Sequence, residues 1–211
     1  KETGKFKEED FAKIDANTKI VAFAQVSNVL GLVFDPKPLI NLAHQHGAVV
    51  VLDGAQSVPH QQVDVQELDC DFFVFSGHKM CASGGIGVLY GKEALLEDME
   101  PFNLGGDMID RVEEQVTTFA ELPTKFEAGT PNVEGAVSLA AAIKYLNNIG
   151  FAEIEAHEKK LVTLAIEGMK KIPYVRIIGS DNPAEKTGLV AFTADDVHPH
   201  AVPELLSAPR P

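Results

Sequence analysis

Two short runs in this chain carry the residue types that chemistry needs. In Asp53-Gly-Ala-Gln56 a carboxylate directly follows an apolar run. In Phe75-Ser-Gly-His-Lys79 a lysine stands just beyond an aromatic one. These two groups are what a pyridoxal phosphate enzyme requires. The amine forms an imine with the cofactor aldehyde, and the carboxylate keeps the pyridine nitrogen protonated so that the ring can accept electrons. Taken singly, each has a plain reading. A strand-end aspartate is usually a cap or turn residue, and a lone lysine is usually solvated. Together at two strand ends they favour a site. A lysine whose backbone starts inside the protein is partly desolvated, and desolvation lowers its pKa.

The elements that must position these groups are visible as apolar runs. Lys19–Gln25, Ala48–Leu52, Asp71–Ser76 and Ile86–Tyr90 read as four strands. Ala48–Leu52 has the continuous apolar character of a strand covered on both faces of a parallel sheet. Between the first two strands Asp35 reads as an N-cap with Pro36 at the first helical position, and Gly47 ends that helix. Strand, helix, strand at this length is a βαβ unit. Short helices are expected at Val63–Leu68 and Lys92–Met99, and long amphipathic ones at Val133–Asn147 and Phe151–Lys171. Residues 101 to 132 read as irregular. Tyr174–Ile178 and Gly188–Phe192 read as strands of a smaller α+β unit, and the proline-bearing tail from Pro203 to Pro211 shows little pattern. The expected organisation is α/β, with a mostly parallel sheet in a large domain over residues 1–149 and a partial small α+β domain over residues 150–211.

In open α/β sheets ligands sit beyond the carboxyl ends of the strands. Asn28, Asp53, Gln56, Ser76, His78 and Lys79 all fall just past predicted strand ends and would converge on one crevice. Ser76 also suits a turn cap, and His78 suits a structural histidine equally well. His44, His46, His60 and His157 read as solvated. His198 and His200 lack a third ligand, and no metal is expected. Cys81 reads as a small, partly buried side chain and Cys70 as structural. The sequence Gly84-Gly-Ile-Gly87 precedes a strand, which does not suit a dinucleotide fingerprint.

Bulk properties narrow the classes. The chain has 211 residues, 45% of them apolar, and a formal net charge of −13. That charge argues against wholesale binding to nucleic acid or anionic lipid. No apolar run approaches the roughly 20 residues of a membrane span. Two cysteines are too few for a disulfide framework, which suits a reducing compartment and a cytoplasmic location.

Five ordered motifs carry a resemblance. They are Val26-Ser-Asn-Val-Leu-Gly31, Asp53-Gly-Ala-Gln-Ser57, Asp69-Cys-Asp-Phe-Phe-Val-Phe-Ser-Gly-His-Lys79, Gly85-Ile-Gly-Val-Leu-Tyr90 and Phe126-Glu-Ala-Gly-Thr-Pro-Asn132. Over about residues 11 to 200 the chain resembles the SUF-type (group II) cysteine desulfurases, in the class V aminotransferase group of pyridoxal phosphate enzymes. The resemblance implies the large domain of the fold type I transferases. It implies that Lys79 carries the cofactor, Asp53 pairs with the pyridine nitrogen, and Gln56 bonds the phenolic oxygen with Asn28 close to that edge. It implies that Ser76 and His78 bind the phosphate, and that Thr130 reaches the phosphate of a neighbouring subunit in a homodimer. The reaction it implies takes sulfur from L-cysteine, leaves L-alanine, and delivers a persulfide to a sulfur-acceptor protein for iron–sulfur cluster assembly. Selenocysteine lyases and other class V enzymes share this framework, and a degenerate non-catalytic module would keep the fold alone.

Three departures from the family pattern stand out. The family's upstream segment, with a ring-stacking histidine and a phosphate loop, has no counterpart. The family's sulfur-accepting cysteine follows the region of Val197-His-Pro-His200, whereas here no cysteine follows Cys81. Cys81-Ala-Ser-Gly84 replaces the family's Tyr-Gly-Pro-Thr. The chain is therefore expected to be a central piece of a desulfurase. It is expected to be inactive on cysteine by itself and, with an apolar sheet edge and face uncovered, prone to self-association.

Overall fold

Strand order follows directly from the apolar runs. The computed structural model describes residues 4–207. A one-turn helix α1 (Glu8–Phe11) precedes β1 (Ile20–Ala24). Next come α2 (Lys37–Gln45), β2 (Val49–Asp53), α3 (Val65–Leu68) and β3 (Phe72–Ser76). A 3₁₀ turn at Gly77–Met80 leads into β4 (Gly87–Gly91) and α4 (Glu93–Asp98). The sheet has the order β1-β2-β3-β4, parallel except for β4, which runs antiparallel to β3. This is the mostly parallel α/β arrangement expected from the sequence.

Burial along β2 differs from the expectation for a strand covered on both faces. Val50 and Leu52 are fully buried, whereas Val49 and Val51 are only partly so. The covered face joins Val21, Val50, Leu52 and Phe73 to Leu39, Ile40 and Ala43 of α2. Leu139 and Leu146 of α5 (Val133–Ile149) pack into the same cluster. The opposite face carries Ile20, Val49, Val51, Asp53, Val74 and Leu89, laterally paired in register. Among the described residues that face is open, with Ile20 63% and Leu89 50% exposed. The difference is one of layers. An apolar run records that a strand is buried, not which side its covering helices come from.

Residues 101 to 132, read as irregular, contain an antiparallel hairpin of β5 (Ile109–Val112) and β6 (Thr117–Phe119) and a 3₁₀ turn at Thr124–Phe126. Its strands are mostly exposed, so they lack the apolar alternation that marks a half-buried strand. A bond from Thr118 to Asp110 crosses the hairpin, and the Ala120 N–H closes its base on the Met108 carbonyl. Gly150, at φ 90°, separates α5 from α6 (Phe151–Met169). Beyond α6, β7 (Val175–Ile177) pairs antiparallel with β8 (Phe192–Ala194). The second strand thus starts where the sequence reading had it end; within the expected stretch the Leu189 N–H turns back to the Thr187 carbonyl, and the Ala191 carbonyl accepts the Ile178 N–H. Lys186 bridges to Leu32, and the Thr187 N–H donates to the Gly31 carbonyl. In the tail, α7 (Ala201–Ser207) replaces part of the expected irregular segment, whose remainder, residues 208–211, lies outside the described residues.

Several local expectations shift. Asp35 Oδ1 accepts the Lys37 N–H at 3.1 Å, and α2 begins one residue later than expected, with Pro38 in its first turn. His44 and His60 are not solvated. His44 Nε2 lies 2.9 Å from Asp71 Oδ2, and His60 Nδ1 lies 2.6 Å from Glu158 Oε1. Cys81 is exposed rather than partly buried, at φ 70°. Cys70 is buried as expected, and burial pushes its thiol pKa up.

Asp71 ties the amino ends of the strands together. It is 7% exposed. Its Oδ2 accepts the Val50 N–H at 2.7 Å as well as His44, and its Oδ1 lies 2.9 Å from Lys92 Nζ. Burial opposes its charged form, but the bonds from Val50, Lys92 and His44 outweigh burial and hold its pKa below the usual carboxylate range. A depressed folded pKa gives stability that is present above the unfolded value, near 3.9, and lost as pH falls through the folded value. Asp71→Asn is expected to cost about 3 kcal/mol at pH 7, because Lys92 loses its buried partner. The urea midpoints of the variant and the parent chain should converge as pH drops below about 4. A second expectation concerns Gly54, where an added Cβ would lie 1.9 Å from Phe73 Cζ. Gly54→Ala should lower stability by about 1–3 kcal/mol through overpacking, as read by thermal unfolding.

Candidate active site

The carboxyl ends of β1, β2 and β3 form one edge. Ala24 pairs with Asp53, and Asp53 with Val74, so Ser76 stands two residues further along β3. With a rise of about 3.3 Å per residue and strands about 4.8 Å apart, the Asp53 and Ser76 backbones lie roughly 8 Å apart. Asp53 is exposed on the open face, and its Oδ1 accepts the Ala55 N–H at 2.8 Å. That bond starts the turn over residues 55–60, which carries Gln56. Gly54 lies under the Phe73 ring, and its carbonyl accepts from the Ser57 N–H, the Ser57 hydroxyl and the Val58 N–H. The turn is thus fixed on the core side through buried Ser57, while Gln56 stays partly accessible.

The lysine is held in a similar way. Gly77 is buried, and its N–H donates to the Ile86 carbonyl at 2.8 Å. Met80 is 5% exposed and joins the core cluster. Between these anchors His78 and Lys79 are both exposed. An added Cβ at Gly77 would meet Ile86 Cγ2 at 2.6 Å, and one at Gly87 would meet the Phe75 carbonyl at 2.8 Å. Glycine is therefore required where β3, the turn and β4 approach each other.

Asn28 sits in the turn after β1 and is exposed. The Ser27 hydroxyl accepts the Val29 and Leu30 N–H groups at 3.3 and 3.1 Å and shapes that turn. Asn28, Asp53, Gln56, Ser76, His78 and Lys79 therefore share the carboxyl edge of the parallel strands. Thr130 is on a different element, exposed, just before α5. Asn132 caps α5 by accepting the Gly135 N–H and donates to the Gly85 carbonyl at 3.0 Å, which joins the Thr130 segment to the turn before β4.

Three buried polar residues escaped the sequence reading. Gln25 follows β1 beside Asp53, whose carbonyl accepts its N–H. It is 6% exposed, and its side-chain carbonyl has no partner among the described residues. Lys125 is buried and donates to the Leu96 and Glu97 carbonyls near the end of α4. Lys186 is 7% exposed and donates to the Leu30 carbonyl at 2.6 Å. Its burial pushes its pKa down. Only Gln25 had a sequence signal, as the polar end of an apolar run.

An acceptor carboxylate, an amine, a hydroxyl, an imidazole and two carboxamides on one rim, over glycine-lined backbone, suit a ligand with separate cationic and anionic parts. Among the described residues no helix is long and apolar enough to cross a membrane.

Comparison with known proteins places the chain in a family. The family described as aminotransferase class-V matches residues 1–209. The chain is 51% identical over 206 residues to a probable cysteine desulfurase of Halalkalibacterium halodurans, covering 97% of this chain and 50% of that one. It is 50% identical over 191 residues to one of Staphylococcus epidermidis, covering 90% and 46%. Among solved structures it resembles the cysteine desulfurase CsdA of Escherichia coli, with a TM-score of 0.86, 41% identity, and 93% and 48% covered. It also resembles the apo cysteine desulfurase of Thermococcus onnurineus, with a TM-score of 0.91, 39% identity, and 97% and 51% covered. The chain spans about half the length of the curated relatives it matches. With the family match running over almost its whole length, the chain belongs to the class-V aminotransferase family.

Proposed function

We propose that this chain serves a pyridoxal phosphate-dependent cysteine desulfurase of the SUF type. The whole protein would take sulfur from L-cysteine, leave L-alanine, and pass the sulfur as a persulfide to an acceptor protein for iron–sulfur cluster assembly. The observation that carries this reading is the placement of Asp53 at the carboxyl end of β2 and of Lys79 just beyond its parallel neighbour β3. The names of its relatives support the reaction, and Phe75-Ser-Gly-His-Lys79 supports the subgroup. A homodimer, with Thr130 reaching the neighbouring subunit's phosphate, and a cytoplasmic location belong to the same proposal.

When bound, pyridoxal phosphate supplies an electron sink for the bonds of the substrate amino acid. The donor set fits it. Asp53 holds a proton at the ring nitrogen, and its turn with Ala55 orients the carboxylate. Lys79 would supply the amine that anchors the group and would be the base placed to move protons at the substrate. Gln56 and Asn28 would donate amide N–H groups towards the phenolic oxygen, while Ser76 and His78 would donate towards phosphate. Glycines at 54, 77 and 87 let the backbone that carries these groups pack closely against Phe73, Ile86 and Phe75.

Adding pyridoxal phosphate to the purified chain should give a visible absorbance band. Borohydride should then fix the cofactor on the peptide containing Lys79, and Lys79→Ala should abolish both signals. Fixation on scattered lysines would sink the proposal. Asp53→Asn should weaken cofactor binding by about 10–100-fold, the equivalent of one hydrogen bond to a charged group at about 1.5–3 kcal/mol.

A further inference from the structure

The loop that carries Asn28 is closed from a distant part of the chain. Val26 and Val33 form an antiparallel bridge at its base, and Ser27 holds its tip through the Val29 and Leu30 N–H groups. Its outer side is bound by residues 185–189, more than 150 positions later. The Val33 N–H donates to the Glu185 carbonyl and the Thr187 N–H to the Gly31 carbonyl, both at 2.9 Å, flanking the bridge between Leu32 and Lys186. Gly31 takes a φ of 67°, and an added Cβ there would lie 2.6 Å from the Leu189 carbonyl oxygen. The two segments are therefore in direct backbone contact.

Lys186 completes this clamp with a side chain whose chemistry is out of place unless it serves the loop. Lysine is rarely buried without a carboxylate. Lys186 is 7% exposed and makes no ion pair within 4.0 Å among the described residues. Its ammonium donates instead to the Leu30 carbonyl, two residues from Asn28. Around it lies a polar cavity of about 230 Å³, with His60, Glu158 and Lys159 also on its wall. The same face binds the turn that carries Gln56, since His60 pairs with Glu158 of α6. Both carboxamide-bearing loops at the site edge are thus fastened by residues from the last third of the chain.

We propose that Lys186 is a positioning residue. It holds the loop of residues 27–33 so that the Asn28 carboxamide stays at the phenolic edge of the cofactor, and so couples the β7–β8 region to the site. This rests on the cofactor reading above, through Asn28. The role is indirect, because Lys186 touches the loop backbone and not the reacting atoms.

The test uses the full chain with Lys186→Met, Lys186→Arg, Asn28→Ala and the double variant Lys186→Met/Asn28→Ala. Without cofactor, Lys186→Met should raise hydrogen exchange at the amides of residues 27–33 about tenfold, the loss of one charge-assisted bond, while amides of β2 and β3 stay protected. Lys186→Arg should restore protection. With pyridoxal phosphate bound, Lys186→Met should move the pH midpoint of the visible band in the same direction as Asn28→Ala, and the double variant should move it no further. Unchanged exchange in the loop would overturn the proposal. So would raised exchange with a parental pH midpoint, which would leave Lys186 a purely structural group, or an unmoved midpoint in Asn28→Ala. If the parent chain forms no Lys79-dependent band, the cofactor reading fails and the Asn28 role with it. The exchange arm then decides separately whether Lys186 holds the loop. Lys186→Gln, with a shorter neutral donor, is read in the same way if the methionine variant does not fold.

Discussion

Parallel pairing of β2 with β3 brings two carboxyl ends to the same edge of a sheet, and the placement of Asp53 beside Ser76, His78 and Lys79 depends on that pairing. Asp53 and Val74 are lateral partners. A slip of one residue would turn Asp53 into the covered face, towards the apolar residues of α2, where an unpaired carboxylate is costly. The same slip would move Leu52 to the open face. The apolar set and the acid thus select the same register, with no need for the acid to find a partner of its own.

The two ends of the sheet set their acids in different surroundings. At the amino end Asp71 is buried and bonded to a backbone N–H, an imidazole and an ammonium. At the carboxyl end Asp53 is exposed with one backbone N–H bonded to it. Both are aspartates next to an apolar run, and only their partners distinguish the stabilising one from the one left accessible. Lys92 and Lys79 divide similarly. Lys92 is held by Asp69 and Asp71, and Lys79 is exposed between two buried anchors.

Much of this was legible in the order of residues. The four strands, the two long helices and the carboxyl-edge positions of Asn28, Asp53, Gln56, Ser76, His78 and Lys79 follow from apolar runs and the polar residues that end them. What was hidden depends on partners far apart in sequence. His60 looks like a surface residue until Glu158, 98 positions later, is placed beside it. Lys186 looks solvated until the Leu30 carbonyl meets it. The hairpin at Ile109–Val112 and Thr117–Phe119 has no buried face to create a period, so its pairing shows only in the backbone bonds. The run Ala48–Leu52 alone did not disclose which face stays uncovered, because an apolar run looks the same with one layer of helix or two.

The turn at Gly77–Met80 has a consequence for motion. Its first and last residues are embedded in the interior, while the two between them reach outward. The Ala82 N–H returns to the Gly77 carbonyl at 3.1 Å and closes the segment on itself. Unwinding this stretch would require Met80 to leave its apolar neighbours, so a private, low-cost fluctuation of the lysine backbone is suppressed. The amine at position 79 can still sweep through its own rotamers. Its freedom is that of a tether with a fixed root, mobile in four side-chain torsions and nearly immobile in the chain that bears it.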